Sequence, residues 1–236
     1  MNKKTLVITA ASQYLTSQTG LSRGVLQRSV NSFNGFDAEI LVVVPEPNKG
    51  AVIEHFEAHC PGASPTVVGV PLTSKGALVS ATLGWAQADR EDGELWIAAG
   101  DTEFLTPSAI EIMNELSNSD AEMGTVAFES QDSRFSYLNL SRENKVLNVV
   151  EKRVVGSLAT TGVFYFRSAK DFLKAAEWCF VNNAQLGGSY YVSAALNYSV
   201  FMGGKVEWRA IRPGDFKKHF DSNSDAKEAG LSHDQS

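Results

Sequence analysis

Cysteine is scarce in this sequence: Cys60 and Cys179 are the two cysteines among 236 residues. They lie far apart in the chain and show no metal-ligand spacing. That argues against a disulfide framework and against a cysteine-based metal site. Buried or unreactive thiols in a reducing compartment are therefore the expectation for both residues.

Long apolar runs and an excess of positive charge are also absent. The apolar run at 5–10 is too short for the core of a signal peptide and far too short to span a bilayer. This predicts a cytoplasmic protein with no membrane span. The net charge of −6 gives no electrostatic surface for nucleic acid or for an anionic membrane. An anionic substrate would then need a metal ion or a few well-placed cations.

What the sequence does contain is an alternation of short apolar runs with amphipathic segments. Helices that separate buried strands are typical of βαβ units, so the pattern predicts a parallel sheet. The length, without repeats or linkers, fits one domain over 1–220, and the polar composition of 221–236 predicts a disordered tail. The expected elements include strands at 66–70, 95–99 and 146–152, helices at 21–33 and 77–88, and a short helical turn at 215–220.

The strand expected at 95–99 ends in Gly100 and Asp101. Open α/β sheets bind ligands beyond the carboxyl ends of their strands. A carboxylate that follows a glycine at such an end is suited to hold a divalent cation against phosphate oxygens. The alternative is an aspartate that opens the loop and caps the next helix, because Gly-Asp is common at strand ends.

The segment Thr73–Gly76 precedes the helix expected at 77–88 and is a candidate phosphate-binding site. It would place hydroxyls, the Lys75 cation and a glycine at a helix N-terminus, where anions are stabilised. The alternative is an ordinary cap by Ser74. A cap does not require Lys75, which favours a functional role.

A hydroxyl-rich stretch at 11–20 follows the first strand, where a nucleotide-binding α/β protein has its phosphate-cradling loop. The stretch is poor in glycine and has no Lys or Arg before Arg23. It is equally an ordinary polar connection. The sequence leaves open whether Tyr14, Thr16 and Ser17 rebuild a phosphate site from side chains.

Glu151 and Lys152 end the strand expected at 146–152. Adjacent strand residues point to opposite faces, so one of them could face a ligand while the other stays solvated. The alternative is a solvated ion pair at a sheet edge.

From about residue 73 onward the chain resembles the sugar nucleotidyltransferases, which join a sugar phosphate to a nucleoside triphosphate. It looks most like the short forms associated with capsule and cell-surface polysaccharide genes. The resemblance covers about 140 residues. The matching pieces occur in the family's order: Thr73–Gly76, Gly100–Asp101, Ser133–Tyr137, Val149–Lys152, Ala159–Phe166, Tyr190–Ser193 with Asn197, and Gly203–Val206.

The resemblance implies a Rossmann-like three-layer α/β/α fold with a mostly parallel central mixed sheet, of the nucleotide-diphospho-sugar transferase type. It implies Mg²⁺ bound by Asp101, with Asp215 as a second ligand, and catalytic cations at Lys152 and Arg23. In that chemistry the sugar phosphate attacks the α-phosphorus and pyrophosphate leaves, while the protein positions the reactants and stabilises charge.

The resemblance also implies where the two substrates bind. The residues expected near the sugar phosphate are Glu151, Lys152, Thr161, Gly162 and Tyr191. The residues expected near the nucleotide are Ala10, Ala11, Ser12, Lys75, Gly76 and Gly100. The expected partners are thus a nucleotide with a sugar phosphate, or a sugar nucleotide, and no nucleic acid; a homodimer is an assembly that the sequence leaves open.

The chain departs from the family pattern just after the first strand. The family has a Gly-rich loop, then an Arg, then a Pro-Lys pair, whereas Ala10–Gly24 lacks the loop and the Lys and offers Arg23 as a substitute cation. Backbone N–H groups and a lysine supply much of the affinity for a triphosphate. Two alternatives therefore stay open: a glycosyltransferase of the same fold that uses a ready-made sugar nucleotide, and a non-catalytic relative that binds a sugar nucleotide or a partner protein.

Overall fold

A computed structural model describes residues 3–60 and 65–219. The tail expected to be disordered at 221–236 lies outside these residues. The strands are β1 Lys4–Thr9, β2 Glu39–Pro45, β3 Thr66–Val70, β4 Glu94–Ala99, β5 Thr102–Phe104, β6 Met123–Glu129, β7 Tyr137–Leu140, β8 Val146–Val150, β9 Leu158–Phe166, β10 Val206–Ala210 and β11 Phe216–Lys218. The helices are α1 Gln13–Thr16, α2 Gln18–Ser22, α3 Val25–Asn31, α4 Lys49–His59, α5 Ala77–Gln87, α6 Ser108–Ser117, α7 Ala169–Val181 and α8 Val192–Phe201.

The main sheet has nine strands, with the order β10-β6-β9-β4-β1-β2-β3 and the hairpin β7–β8 attached to β9. Strands β1, β2, β3 and β4 are parallel, and β10 is parallel to β6. Strand β9 runs antiparallel to both β4 and β6. The expectation of a mostly parallel mixed sheet is therefore confirmed, and β9 with the β7–β8 hairpin makes it mixed.

Helices cover both faces of this sheet because the central strands are apolar on both sides. Along β1, Leu6 and Ile8 pack with Leu26, Val30 and neighbouring residues of α3, α4 and α6 in one core. Val7 points to the other face and packs against α5, α7 and α8 in a second core. The alternation of side chains along a strand produces this division. The result is the three-layer arrangement that the resemblance implied.

Two expectations about local structure are wrong. The helix expected at 21–33 is broken into α2 and α3, because Gly24 adopts a left-handed conformation with φ +65° and starts a new helix. The helical turn expected at 215–220 is instead a 3₁₀ turn, Pro213–Asp215, followed by β11. Strand β11 pairs antiparallel with β5 and places Lys218 opposite Thr102.

Across the part of the chain that the structure describes, none of the helices has the length and apolarity required to cross a bilayer.

Candidate functional site

A cleft of about 750 Å³ opens beyond the carboxyl ends of β1 and β4. The loops that follow these strands, the start of α5, the end of β8, the first half of β9, the start of α8 and the end of β11 form its walls. Several site residues expected from the sequence line it together: Ala11, Ser12, Gly76, Asp101, Glu151, Lys152, Thr161, Gly162 and Tyr191. The position agrees with the rule that open α/β sheets bind ligands beyond their strand ends.

Asp101 lies at the tip of β4 and contacts the ammonium of Lys218. Lys218 Nζ also donates to Thr102 Oγ1 at 3.1 Å. The backbone carbonyl of Asp101 accepts from His219 N at 2.8 Å, which continues the pairing of β11 with the segment after β4. The carboxylate expected at the centre of the site is therefore in place, and it already has a cationic partner.

Glu151 lies in the turn after β8 and accepts hydrogen bonds from two serine hydroxyls. Ser193 Oγ, at the start of α8, donates to Glu151 Oε2 at 2.6 Å, and Ser136 Oγ donates to the same oxygen. Both serines are buried. Burial and these two bonds fix the direction of the carboxylate, which lines the cleft.

Lys152 shows why the expectation of opposite faces is wrong. Strand β8 ends at Val150, and Lys152 has φ +52°, so the alternation of a strand no longer applies at Glu151 and Lys152. Both side chains line the same cleft. The Lys152 ammonium lies 5.3 Å from the centre of the Tyr191 ring, within the range of a cation–π interaction.

Thr161 and Gly162 lie where the pairing of β9 with β6 shifts register. The Thr161 hydroxyl donates to the Val126 carbonyl at 3.1 Å, so it can only accept from a ligand. Gly162 has φ +86°, and a β-carbon there would come within 3.2 Å of Lys218 Nζ. The lack of a side chain at Gly162 leaves room for that ammonium.

The start of α5 does not have the Ser74 cap that was the alternative interpretation of this segment. Gly76 is the N-cap residue, with φ +95°, and Ser74 Oγ hydrogen-bonds to Ser80 Oγ at 2.9 Å instead. Ser74 and Gly76 line the cleft, whereas Lys75 is exposed and lies outside the lining. The cation that favoured a functional reading of this segment therefore does not face the cleft.

Short helices occupy the place of the phosphate loop after β1. Thr16 is buried, donates to the Ser12 carbonyl at 3.1 Å and accepts from Asn48 Nδ2 at 2.8 Å. Ser17 caps α2 by accepting from Gly20 N at 3.1 Å. Of the three hydroxyls considered from the sequence, that of Tyr14 belongs to a residue lining the cleft. Thr16 and Ser17 hold the chain together rather than forming a phosphate site.

Four further expected site residues lie outside the lining of the cleft. Ala10 is buried and donates to the Val43 carbonyl at 2.8 Å, and Gly100 donates to the Thr9 carbonyl at 2.9 Å, so both join strand ends. The remaining two are charged: exposed Arg23 lies over the Tyr14 ring at 5.2 Å, and buried Asp215 accepts from Arg212 Nε at 2.9 Å. The geometry gives no support to Asp215 as a metal ligand.

Sequence reasoning missed two cations that line the cleft, Lys218 and Arg134. Arg134 belongs to a matched segment to which no role was given. Its guanidinium donates to both oxygens of Asp132, with Nη2 at 2.7 Å from Oδ2, and lowers the pKa of that carboxyl group. Lys218 carried no local signal, because its position depends on the pairing of β11 with β5.

Comparisons with known proteins support the fold. No family model matches the sequence, and no curated protein matches it. A nucleoside-diphosphate-sugar pyrophosphorylase from Vibrio cholerae RC9 shares the structure with a TM-score of 0.73 at 18% identity, over 94% of this chain and 98% of that one. An inositol-1-phosphate CTP transferase from T. maritima has a TM-score of 0.71 at 14% identity, over 100% and 99% of the two chains.

A third solved structure, a proposed glucose-1-phosphate thymidylyltransferase from Bacillus anthracis in complex with sucrose, has a TM-score of 0.70 at 16% identity. It covers 99% of this chain and 96% of its own. Likeness at these identities shows a common fold over the whole length. The fold that the sequence resemblance implied is thereby confirmed.

Proposed function

We propose that this protein is a nucleotidyltransferase-like enzyme whose cleft binds a nucleotide and a sugar phosphate and joins them into an activated sugar nucleotide. One observation carries the proposal: Gly76, Asp101, Glu151, Lys152 and Gly162, which the family resemblance singled out in distant parts of the sequence, line one cleft. The names of the three solved proteins that share the fold describe sugar-nucleotide or related nucleotidyl chemistry.

Two groups of lining residues suit different parts of the substrates. Ser12, Ser74 and Gly76, from the segment after β1 and the start of α5, line the cleft, and their small side chains and hydroxyls suit a nucleotide. The second group is Glu151 and Lys152. Both serine hydroxyls reach the same oxygen of Glu151, which leaves Oε1 to accept a hydroxyl of a sugar.

The proposed reaction is a substitution at phosphorus. A phosphate oxygen of the sugar phosphate attacks the α-phosphorus, the bond from that phosphorus to the bridging oxygen breaks, and pyrophosphate leaves with the electron pair. Such a step requires orientation of the reactants and stabilisation of negative charge rather than covalent chemistry by the protein. The cleft cations that can stabilise this negative charge are Lys152, Lys218 and Arg134.

The magnesium ion implied by the resemblance finds a poor set of donors. Mg²⁺ requires near-octahedral oxygen coordination, usually from one or two carboxylates together with phosphates and waters. Among residues 3–60 and 65–219, no group of three or more His, Cys, Asp or Glu side chains could hold a metal, so a magnesium ion would depend on one or two free carboxylates in the cleft. Asp101 contacts Lys218, Asp215 binds Arg212, and Glu151 accepts two hydroxyls. These residues do not fit a magnesium ion held by the protein, and no step above depends on one.

A second candidate function is favoured by the segment after β1. The hydroxyls of Thr16 and Ser17 are bound to the chain itself, and Arg23 stacks on Tyr14 at the surface. The triphosphate end of the cleft thus lacks the loop that the family uses. A protein that binds a sugar nucleotide without forming it, or that transfers the sugar from it, would need a diphosphate site only.

The wider role that we propose is cytoplasmic synthesis of a sugar nucleotide for a cell-surface polysaccharide, as in the short capsule-type forms that the sequence resembles. A homodimer also stays a prediction. Light scattering on the purified protein measures its mass in solution and tests the dimer directly.

The proposed function is tested by a ligand panel. Thermal unfolding is followed with the common nucleoside triphosphates, nucleoside diphosphate sugars and sugar phosphates, because a ligand above its Kd stabilises the folded state. We expect stabilisation by one triphosphate and one sugar phosphate, and release of pyrophosphate when both are present. Stabilisation by a nucleoside diphosphate sugar alone, without pyrophosphate release, favours the second candidate. No response to any nucleotide contradicts both.

A further inference from the structure

The ammonium of Lys218 occupies a built position inside the cleft. It contacts the carboxylate of Asp101 and donates to Thr102 Oγ1 at 3.1 Å. On a third side it lies next to Gly162, where a β-carbon would stand 3.2 Å from Nζ. Only 13% of the Lys218 side chain is exposed. Burial, two polar partners and the lack of a side chain at Gly162 therefore fix the ammonium beside the tip of β4.

At that point a cation can reach a bound phosphate. An ammonium has three N–H donors, and Asp101 and Thr102 account for two of them. Lys218 lines the cleft, so the third N–H can be donated to a phosphate oxygen. A hydrogen bond between two charged groups of this kind is shorter and stronger than one between neutral groups.

The same arrangement opposes a divalent cation at Asp101. A metal ion would have to displace the ammonium or remain beside it, and two cations within a few ångströms repel each other strongly in a partly buried site. Within the described residues, no acidic cluster offers further ligands to offset that repulsion. The Asp101 carboxylate, which was expected to bind a metal, is thus paired with the Lys218 ammonium.

We propose that the Lys218 ammonium replaces a divalent cation at Asp101. The cleft then binds the phosphate groups of its ligand without metal. The inference rests on the proposed function, because it assumes a phosphorylated ligand. Lys218 contacts the phosphate, and Asp101 is a positioning residue that aims the ammonium. The class of ligand is a nucleotide or a related phosphate ester.

The test measures binding with and without metal. Wild-type protein is titrated calorimetrically with pyrophosphate and with the four common ribonucleoside triphosphates, first in EDTA and then in excess Mg²⁺. We expect binding in EDTA, with a Kd that Mg²⁺ improves by less than about tenfold. Binding that occurs only with Mg²⁺ overturns the inference and leaves the proposed function standing. No binding in either condition contradicts the proposed function and removes the inference with it.

Variants of Lys218 sharpen this test. Lys218→Met keeps most of the side-chain stem and loses the charge, so it should weaken binding in EDTA by at least about tenfold. Lys217→Met is the matched control, since Lys217 is the exposed neighbour on β11 and lies outside the cleft. It should bind as the wild type does. Binding by Lys218→Met in EDTA that equals the wild type overturns the inference.

The role of Asp101 is separated from a purely structural one by metal rescue. Lys218→Met releases the Asp101 carboxylate, so Mg²⁺ should now improve binding by at least about tenfold. The double variant with Asp101→Asn should lose this rescue while its unfolding midpoint stays close to that of Lys218→Met. A rescue that persists without the Asp101 carboxylate overturns the assignment of the cation position to this residue.

Discussion

The carbonyl oxygen of Tyr190 lies against Gly76, where a β-carbon would stand only 2.4 Å from it. The backbones on either side are joined as well: Tyr190 N donates to the Lys75 carbonyl at 2.9 Å, and Leu78 N donates to the Tyr190 carbonyl at 3.1 Å. These bonds connect the start of α5 to the loop that leads into α8. Two walls of the cleft are therefore held together through backbone atoms, and that contact requires glycine at position 76.

Gly76→Ala should destabilise the protein more than Gly35→Ala does. Both glycines have positive φ, +95° and +92°, so both alanines incur backbone strain of about 1–3 kcal/mol. Alanine at 76 also collides with the Tyr190 backbone, which should add about 1–3 kcal/mol. At 35 it meets no described atom within 4 Å. Urea unfolding measures both changes in the free energy of unfolding, and equal losses would show that the contact at Tyr190 is not tight.

Lys152→Met should weaken sugar-phosphate binding by at least about tenfold and nucleotide binding by less than about threefold. The reason is that the Lys152 ammonium lies over the Tyr191 ring and that Lys152 lines the cleft together with Glu151, the carboxylate proposed to bind the sugar. Calorimetric titration with each ligand measures the two losses. Lys145→Met is the control, since Lys145 is an exposed lysine in the turn after β7. Equal losses for the two ligands at Lys152→Met would indicate a general structural role instead.

Thr16→Val should lower the free energy of unfolding by about 1–3 kcal/mol. Valine keeps the shape but leaves the Ser12 carbonyl and the Asn48 amide without the hydroxyl that they bind, in a place where Thr16 is 1% exposed. Thr19→Val makes the same change at an exposed position of α2 and should cost less than about 0.5 kcal/mol. Chemical denaturation compares the two variants, and indistinguishable midpoints would contradict a structural role for the Thr16 hydroxyl.

The two cysteine thiols should stay unreactive towards a disulfide reagent at pH 8 in the folded protein. Burial raises the pKa of Cys60, and it raises the pKa of Cys179 to about 12. The thiolate, which is the reactive form, is therefore scarce at pH 8 and increases only at higher pH. The folded state keeps these thiol protons to a higher pH than the unfolded state does. The free energy of unfolding therefore falls as the pH rises above the unfolded thiol pKa of about 9. Absorbance after reagent addition measures the reaction; a rapid signal before denaturation would show that a thiol is accessible.

The strands of the parallel sheet could be predicted from the sequence because each is a short apolar run bounded by turn residues. Strand β3 has the bounds expected for it, and β4 differs from expectation by a single residue at its start. Strand β4 is buried on both faces and β3 is buried over its last three residues, so their apolar composition identifies them. The position of Asp101 at the tip of β4 followed directly from that pattern.

The parts that could not be predicted depend on backbone conformation or on distant pairing. The left-handed conformation of Lys152 turns Glu151 and Lys152 into the same cleft, and neither residue type signals it. The sequence Phe216–Lys218 has no strand pattern of its own. It forms a strand because it pairs with β5. The contact of Lys218 with Asp101 therefore could not be predicted from either segment alone.

The late position of Lys218 in the chain means that the cleft is completed last during synthesis on the ribosome. Asp101 precedes Lys218 by 117 residues, and the turn with Glu151 and Lys152 is also made well before β11. A nascent chain that has emerged only as far as α8 would carry Asp101 without the ammonium of Lys218, although Lys152 and Arg134 would already be present. Such a chain would attract phosphates less than the complete protein does, and the full positive charge of the cleft would be present only after residue 218 has left the exit tunnel.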